Sequence, residues 1–142
     1  MSNDSVDTAF ARISESPLEL EALERFVWTT ASGALVTFSG IVRNNDRGRT
    51  VTSLDYEAHP EAERFLRDCC AEVAARSGLR VAAAHRIGSL AIGDTALLAT
   101  VAAPHRKEAF EACAELVERI KSSVPIWKRQ RFSDGESEWV GL

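Results

Sequence analysis

Two lysines seven residues apart, Lys121 and Lys128, flank the stretch Ser122-Ser123-Val124-Pro125-Ile126-Trp127. An unbroken helix would put them on one face. Pro125 cannot continue a helix, and it pushes Val124 into extended geometry. Lys121 is therefore expected in the last turn of a helix, where a cation suits the dipole, and Lys128 on the strand that follows. The rigid apolar segment between them is suited to fixing both ammonium groups around one pocket mouth. A lysine in a partly apolar pocket beside other cations loses its charge more readily, and then serves as acid, base or nucleophile near neutral pH. The plain alternative is a pair of solvated lysines at a helix end, and spacing alone does not choose. The window 119–131 adds Arg119, Arg129 and Arg131 and holds no acid. Trp127 is expected to pack the pocket wall.

A second cationic feature is PHRKEAF, residues 104–110. His105 and Arg106 stand at the start of a helix, where unpaired N–H groups and the positive dipole end already favour an anion. Cations there are unfavourable for the helix itself, which makes sense if they bind an anion such as phosphate. Otherwise Arg106 is solvated and His105 is a cap. Fifteen residues separate Arg106 from Lys121, about 22 Å along a helix axis. One small ligand cannot bridge that inside one chain. Either there are two sites, or the helix start of one copy meets the helix end of another in a two-fold dimer. Arg43, Arg47 and Arg49 lie in the loop RNNDRGR, 43–49, where guanidinium forks suit phosphate or carboxylate. Arg43, at a strand end, is the best positioned of the three. No Walker loop, Gly-x-Ser-x-Gly or His-Glu-x-x-His motif occurs.

The elements that must position these residues follow from pattern. TAFARIS (8–14) alternates as a strand. Ser16, Pro17 and Glu19 read as N-cap, first turn and capping box of a helix with stripe Leu20, Leu23 and Val27. Residues 34–42 and 50–58 read as strands, and 34–58 together as a hairpin with a long basic tip. A helix over 60–77 turns Phe65, Cys69, Val73 and Ala74 inward and ends at Gly78. Residues 79–88 and 95–103 are buried strands, the second central, with SLAIGD a turn between them. A long helix, 104–122, carries the stripe Phe110, Cys113, Val117 and Ile120. A strand over 126–132 and an end segment with a turn at Asp134-Gly135 complete the chain. Hairpins mixed with helices argue for α+β rather than a doubly wound sheet.

The totals set limits. A chain of 142 residues with 45% hydrophobic and 27% charged residues suits one soluble domain, 1–142. No apolar run reaches the ~20 residues a membrane helix needs. MSNDSVDTAF lacks a basic or apolar region, so no signal peptide is expected. Cys69, Cys70 and Cys113 are an odd set with no zinc-ligand spacing, which implies reduced packing thiols in a cytoplasmic protein. Net charge is −4, yet residues 1–24 hold six acids against Arg12, and three acids follow Arg131 with no base. The middle is therefore basic and suited to an anionic ligand. A polyanion-binding module is disfavoured, since the basic stretch lacks interleaved exposed aromatics.

GALVTFSGIVRNNDRGRTVTSLDYEAHPE, HRIGSLAIGD, HRKEAFEAC and IKSSVPIWKRQRFSDGESEWVG, taken in order, resemble the large, catalytic subunit family of molybdopterin synthase. The resemblance runs from about residue 8 to 141, and the HR-x-EAF and K-x-x-VPIWK elements carry most of its specificity. It implies an α+β fold of hammerhead-like type, with a mixed or antiparallel sheet and three main helices. It implies a central homodimer, each end binding a small ubiquitin-like subunit whose C-terminal Gly-Gly carries a thiocarboxylate, a heterotetramer in all. It implies sulfur transfer to cyclic pyranopterin monophosphate in two rounds, giving the dithiolene of molybdopterin, with no cofactor, metal or nucleotide at this step. Lys121 and Lys128 match the family's active-site lysines, and Arg43 a pocket arginine. His105 and Arg106 match an anion-binding pair supplied by the neighbouring large subunit. An inactive scaffold that only binds the small subunit is the remaining alternative, disfavoured by the presence of all these residues together.

Overall fold

The computed structural model describes residues 7–142. The first residues, expected not to form a signal peptide, lie partly outside that range. β1 (Ala9–Ser14), α1 (Leu20–Val27), β2 (Ala34–Ile41), β3 (Asn45–Asp46), β4 (Arg49–Ala58) and α2 (Ala62–Ser77) form the first half. β5 (Arg80–Arg86), β6 (Gly88–Ala91), β7 (Thr95–Ala103), α3 (Arg106–Ser123), β8 (Ile126–Phe132) and β9 (Ser137–Gly141) form the second. The fold is α+β, as expected.

One sheet has the order β1-β5-β7-β2, parallel between β1 and β5 and antiparallel elsewhere. β7 is interior and buried along nearly its whole length, as its apolar sequence TALLATVAA requires. α2 and α3 cover one face, where Val73, Leu116 and Ile120 join Val81, Ala83, Ala99 and Val101 in the main core. α1 covers the other face, where Leu23 and Val27 rest on Ala82, Ala84, Leu98 and Ala102. The short alanine side chains let that helix approach the sheet closely. The second sheet has the order β3-β4-β8-β9, with β6 also paired to β4.

Several expectations need correction. Residues 34–58 are not a hairpin: β2 pairs with β7, Phe38 opposite Ala99, whereas β4 pairs with β8 in the other sheet. Both strands exist, but they lie in different sheets, each hydrogen-bonded to a strand distant in sequence. Only the tip is a hairpin, with β3 returning to β4 through Arg47-Gly48, both at positive φ. α1 starts at Leu20, with Glu19 in the cap position and no side-chain cap. Ser16 is engaged instead in a local turn, its N–H donating to Ser14 Oγ at 3.0 Å. Pro60 precedes α2 rather than opening it. SLAIGD is not all turn, because Ser89, Leu90 and Ala91 belong to β6, which pairs with β4. Phe110 is 60% exposed, while Cys113, Val117 and Ile120 face inward as expected. The end segment forms an edge strand, β9.

Candidate active site

Pro125 does what its chemistry demands. α3 stops at Ser123, Val124 is extended at φ −83° and ψ 123°, and β8 starts at Ile126. Along β8 the side chains alternate. Ile126, Gln130 and Phe132 are buried on one face and Lys128 is half-buried among them, while Trp127 points the other way and is 43% exposed. Trp127 is therefore no pocket wall; strand alternation puts it opposite Lys128.

Lys121, from the last turn of α3, and Lys128, from β8, line the same cavity of about 240 Å³. Arg43, just past the end of β2, lines it as well, so three of the five residues singled out from the sequence converge. Tyr56 stands directly across from Lys128 in the β4–β8 ladder, and Leu54 across from Gln130, so β4 supplies an apolar wall. His85, near the end of β5, and Leu142, the last residue, also line the cavity. Tyr56, His85, Asp46, Gln130 and Leu142 were missed from the sequence. The available signal for His85 was its place in an otherwise apolar strand, where a polar side chain needs a partner or a purpose.

The electrostatics are those of a cation-lined hollow. Burial is the main cause that lowers the Lys128 pKa, with Lys121 and Arg43 adding to it and Asp46 opposing. Asp46 is held below the usual carboxylate range, first by the side-chain amide of Gln130, which donates to it at 2.8 Å, and then by the nearby cations. Arg43 reaches Asp46 at 3.9 Å and is otherwise exposed. Burial pushes Tyr56 up. Burial also pushes His85 down to about 4, with the charge of Lys121 adding to the effect.

The rest of the basic window is spoken for. Arg119 pairs with Glu72 and Glu115, Arg131 pairs with Asp55, and Arg129 donates to Ser137 Oγ at 3.2 Å. Arg49 stacks over Phe132 at 3.7 Å and pairs with Asp134 and Glu136, which fixes the turn between β8 and β9. That leaves Lys121 and Lys128 as the window's cations at the cavity.

His105 and Arg106 do not join them. His105 caps α3 without a side-chain hydrogen bond, Arg106 is the first residue of the helix, and neither lines the cavity. Both are exposed. Within one chain the helix start and the helix end remain apart, as its length dictates.

This geometry coincides with a family match. The model of the MoaE protein family matches residues 13–123. The chain belongs to the MoaE family. The molybdopterin synthase catalytic subunit of Nostoc sp. is 39% identical over 96% of this chain and 84% of that protein. The one from Bacillus subtilis is 40% identical over 91% and 83%. Among solved structures, molybdopterin synthase from Staphylococcus aureus superposes with a TM-score of 0.85 at 39% identity, covering 92% of this chain and 96% of that one. The protein–protein complex of subunits 1 and 2 of molybdopterin-converting factor from Helicobacter pylori shares the fold, with a TM-score of 0.69 at 22% identity over 96% and 90%. This MoaE chain is thus an enzyme subunit of molybdenum cofactor biosynthesis. Among its described residues no helix is long and apolar enough to cross a membrane.

Proposed function

We propose that this chain, acting as a single cytoplasmic domain, transfers sulfur to cyclic pyranopterin monophosphate, forming the dithiolene of molybdopterin. The sulfur comes from the C-terminal thiocarboxylate of a small ubiquitin-like subunit ending in Gly-Gly. The observation that carries the reading is the convergence of Lys121, Lys128 and Arg43 on one cavity. Opening a cyclic phosphate and adding sulfur both develop negative charge, which preorganised cations stabilise. Lys121 polarises the incoming glycine carbonyl or transfers protons beside it. Lys128, whose pKa is lowered mainly by burial, assists as a second cation or acid.

The phosphate is held by Arg43 together with His105 and Arg106 of a second copy. A central homodimer with a small subunit at each end provides that arrangement, and the length of α3 supports it, because one copy cannot bring both ends to one ligand. The related Helicobacter pylori complex of two subunits supports the heteromeric partner. The partner's tail enters as an extended peptide.

The experiment mixes this protein with a thiocarboxylated ubiquitin-like partner and cyclic pyranopterin monophosphate, and assays dithiolene. Product is expected from the parent, and its absence despite a formed complex overturns the reading. Lys121→Ala is expected to lose at least about 10²-fold in rate while dimer and partner complex survive.

A further inference from the structure

His85 sits in the cavity without a part in the roles given above. It follows Val81 and Ala83 on the face of β5 that packs against the main core, so an apolar stripe ends in an imidazole. Only 2% of its surface is exposed. Nδ1 lies 2.8 Å from the carbonyl oxygen of Arg86, which can only accept. Nδ1 therefore carries the proton and donates, and Nε2 is left as an unprotonated acceptor. Tyr56 fixes the ring by an edge contact, with centroids 4.9 Å apart and planes at 74°.

Nε2 has no hydrogen-bond partner among the described residues, yet it is not sealed off. The buried, unpartnered side-chain atom of the described residues is Nε of Arg86. The free nitrogen of His85 thus opens on the cavity that the residue lines. Other polar groups there are poorly suited to accept a proton. Arg43, Lys121 and Lys128 are donors in their charged forms. The Asp46 carboxylate accepts from Gln130 at 2.8 Å, and that bond with the nearby cations holds it below the usual carboxylate range, which makes it a weak base.

Sulfur transfer needs such an acceptor. Once the thiocarboxylate sulfur has bonded to a pterin carbon, it still holds the partner's acyl carbon as a thioester. Freeing it requires water: the water oxygen bonds to the acyl carbon, the acyl C–S bond breaks, and sulfur leaves with the electron pair as a thiolate. One water proton must be accepted at the site, and the new carboxylic acid releases the other to solvent. We propose that His85 is a further catalytic residue of this reaction, its Nε2 accepting a hydrogen bond from the attacking water and taking up the first proton. The inference rests on the sulfur-transfer reading above. Burial chiefly keeps the imidazole neutral and the Lys121 charge adds to it; anionic substrate beside Lys121 offsets that second contribution, so proton uptake becomes easier once substrate is bound.

Two variants test this in the complex with thiocarboxylated partner and cyclic pyranopterin monophosphate. His85→Asn keeps an amide N–H near the position of Nδ1 and removes Nε2. His85→Gln returns an amide oxygen near Nε2. The Asn variant is expected to keep KM within about 3-fold and to lose about 10²-fold in kcat, with a partner–pterin thioester accumulating in single turnover. The Gln variant is expected to recover part of the rate. A folded His85→Asn variant that turns over like the parent overturns the proposal. If that variant does not fold, nitrogen NMR of labelled histidine in the parent complex decides. Nε2 is expected to be unprotonated in the free protein and to shift when the cyclic pterin is added. A protonated Nε2, or no shift, overturns the proposal. A parent that makes no dithiolene sinks the sulfur-transfer reading instead, so the two failures are distinct.

Discussion

Lys121 and Lys128 open onto one cavity from two different kinds of element, the last turn of α3 and the middle of β8. Pro125 makes this possible by ending the helix, and the alternation of β8 selects Lys128 over its neighbours Trp127 and Arg129. Their convergence is the basis for the reaction proposed above, and the cavity's other groups extend it to testable consequences.

If Arg106 of one copy serves the Lys121 of another, inactive variants should complement. Arg106→Ala and Lys121→Ala are each expected to be nearly inactive alone. Dissociated and re-formed together, they produce mixed dimers with one intact site, giving about a quarter of the parent's activity if assembly is random. Steady-state dithiolene formation after remixing checks this. No recovery, with mixed dimers verified by mass, places both residues in one copy's site or removes Arg106 from it.

Lys128 carries a charge in a half-buried setting, and its pKa is lowered mainly by that burial. The unfolded chain binds this proton more tightly than the folded one, so the group's contribution to stability rises with pH. The penalty is fullest below the folded pKa and vanishes above the ordinary lysine value of 10.5. Lys128→Met is therefore expected to raise Tm at pH 7 while abolishing activity, and the gain should shrink by pH 10. Thermal melts of both proteins at the two pH values measure it.

His85 follows the same sign in a lower pH window. Its folded pKa of about 4 lies below the ordinary 6.5, so it is neutral in the fold while the unfolded chain takes up a proton. Stability from this group is whole above pH 6.5 and is lost as pH falls toward 4, a difference of order 3 kcal/mol. Denaturant unfolding of the parent and His85→Gln between pH 7 and 4 should show a shallower acid loss in the variant. Parallel slopes would falsify the assignment of a neutral buried imidazole.

Gly33 packs against the carbonyl of Pro104, leaving no room for a Cβ. Its N–H donates to the Ala103 carbonyl at 3.0 Å, so the loop before β2 is tied to the chain entering α3. Gly33→Ala is expected to cost about 1–3 kcal/mol and to displace the start of α3, where His105 and Arg106 stand. Chemical denaturation gives the first quantity. Weakened substrate binding at unchanged partner affinity gives the second.

Much of this protein was legible in its residues because the signals are local. Alternation, helical stripes, Pro125 and the glycine after α2 set most elements to within a few positions, and the quoted motifs led to the family and to Lys121, Lys128 and Arg43. What escaped was decided between distant segments. β2 and β4 look like neighbours in sequence, yet each pairs with a strand far along the chain, β2 with β7 and β4 with β8. The arginines near the lysines look equally available until Glu72 of α2 and Asp55 of β4 arrive from other elements, Glu72 joining Glu115 of α3 itself on Arg119 and Asp55 pairing with Arg131. His85 looks like one polar residue in an apolar strand until Tyr56 and the Arg86 carbonyl fix its ring and tautomer at the cavity. Backbone preference and hydrophobic period act over a few residues and can be read from the chain. Pairing, desolvation and the filling of a cavity depend on which surfaces meet, and only the tertiary structure brings them together.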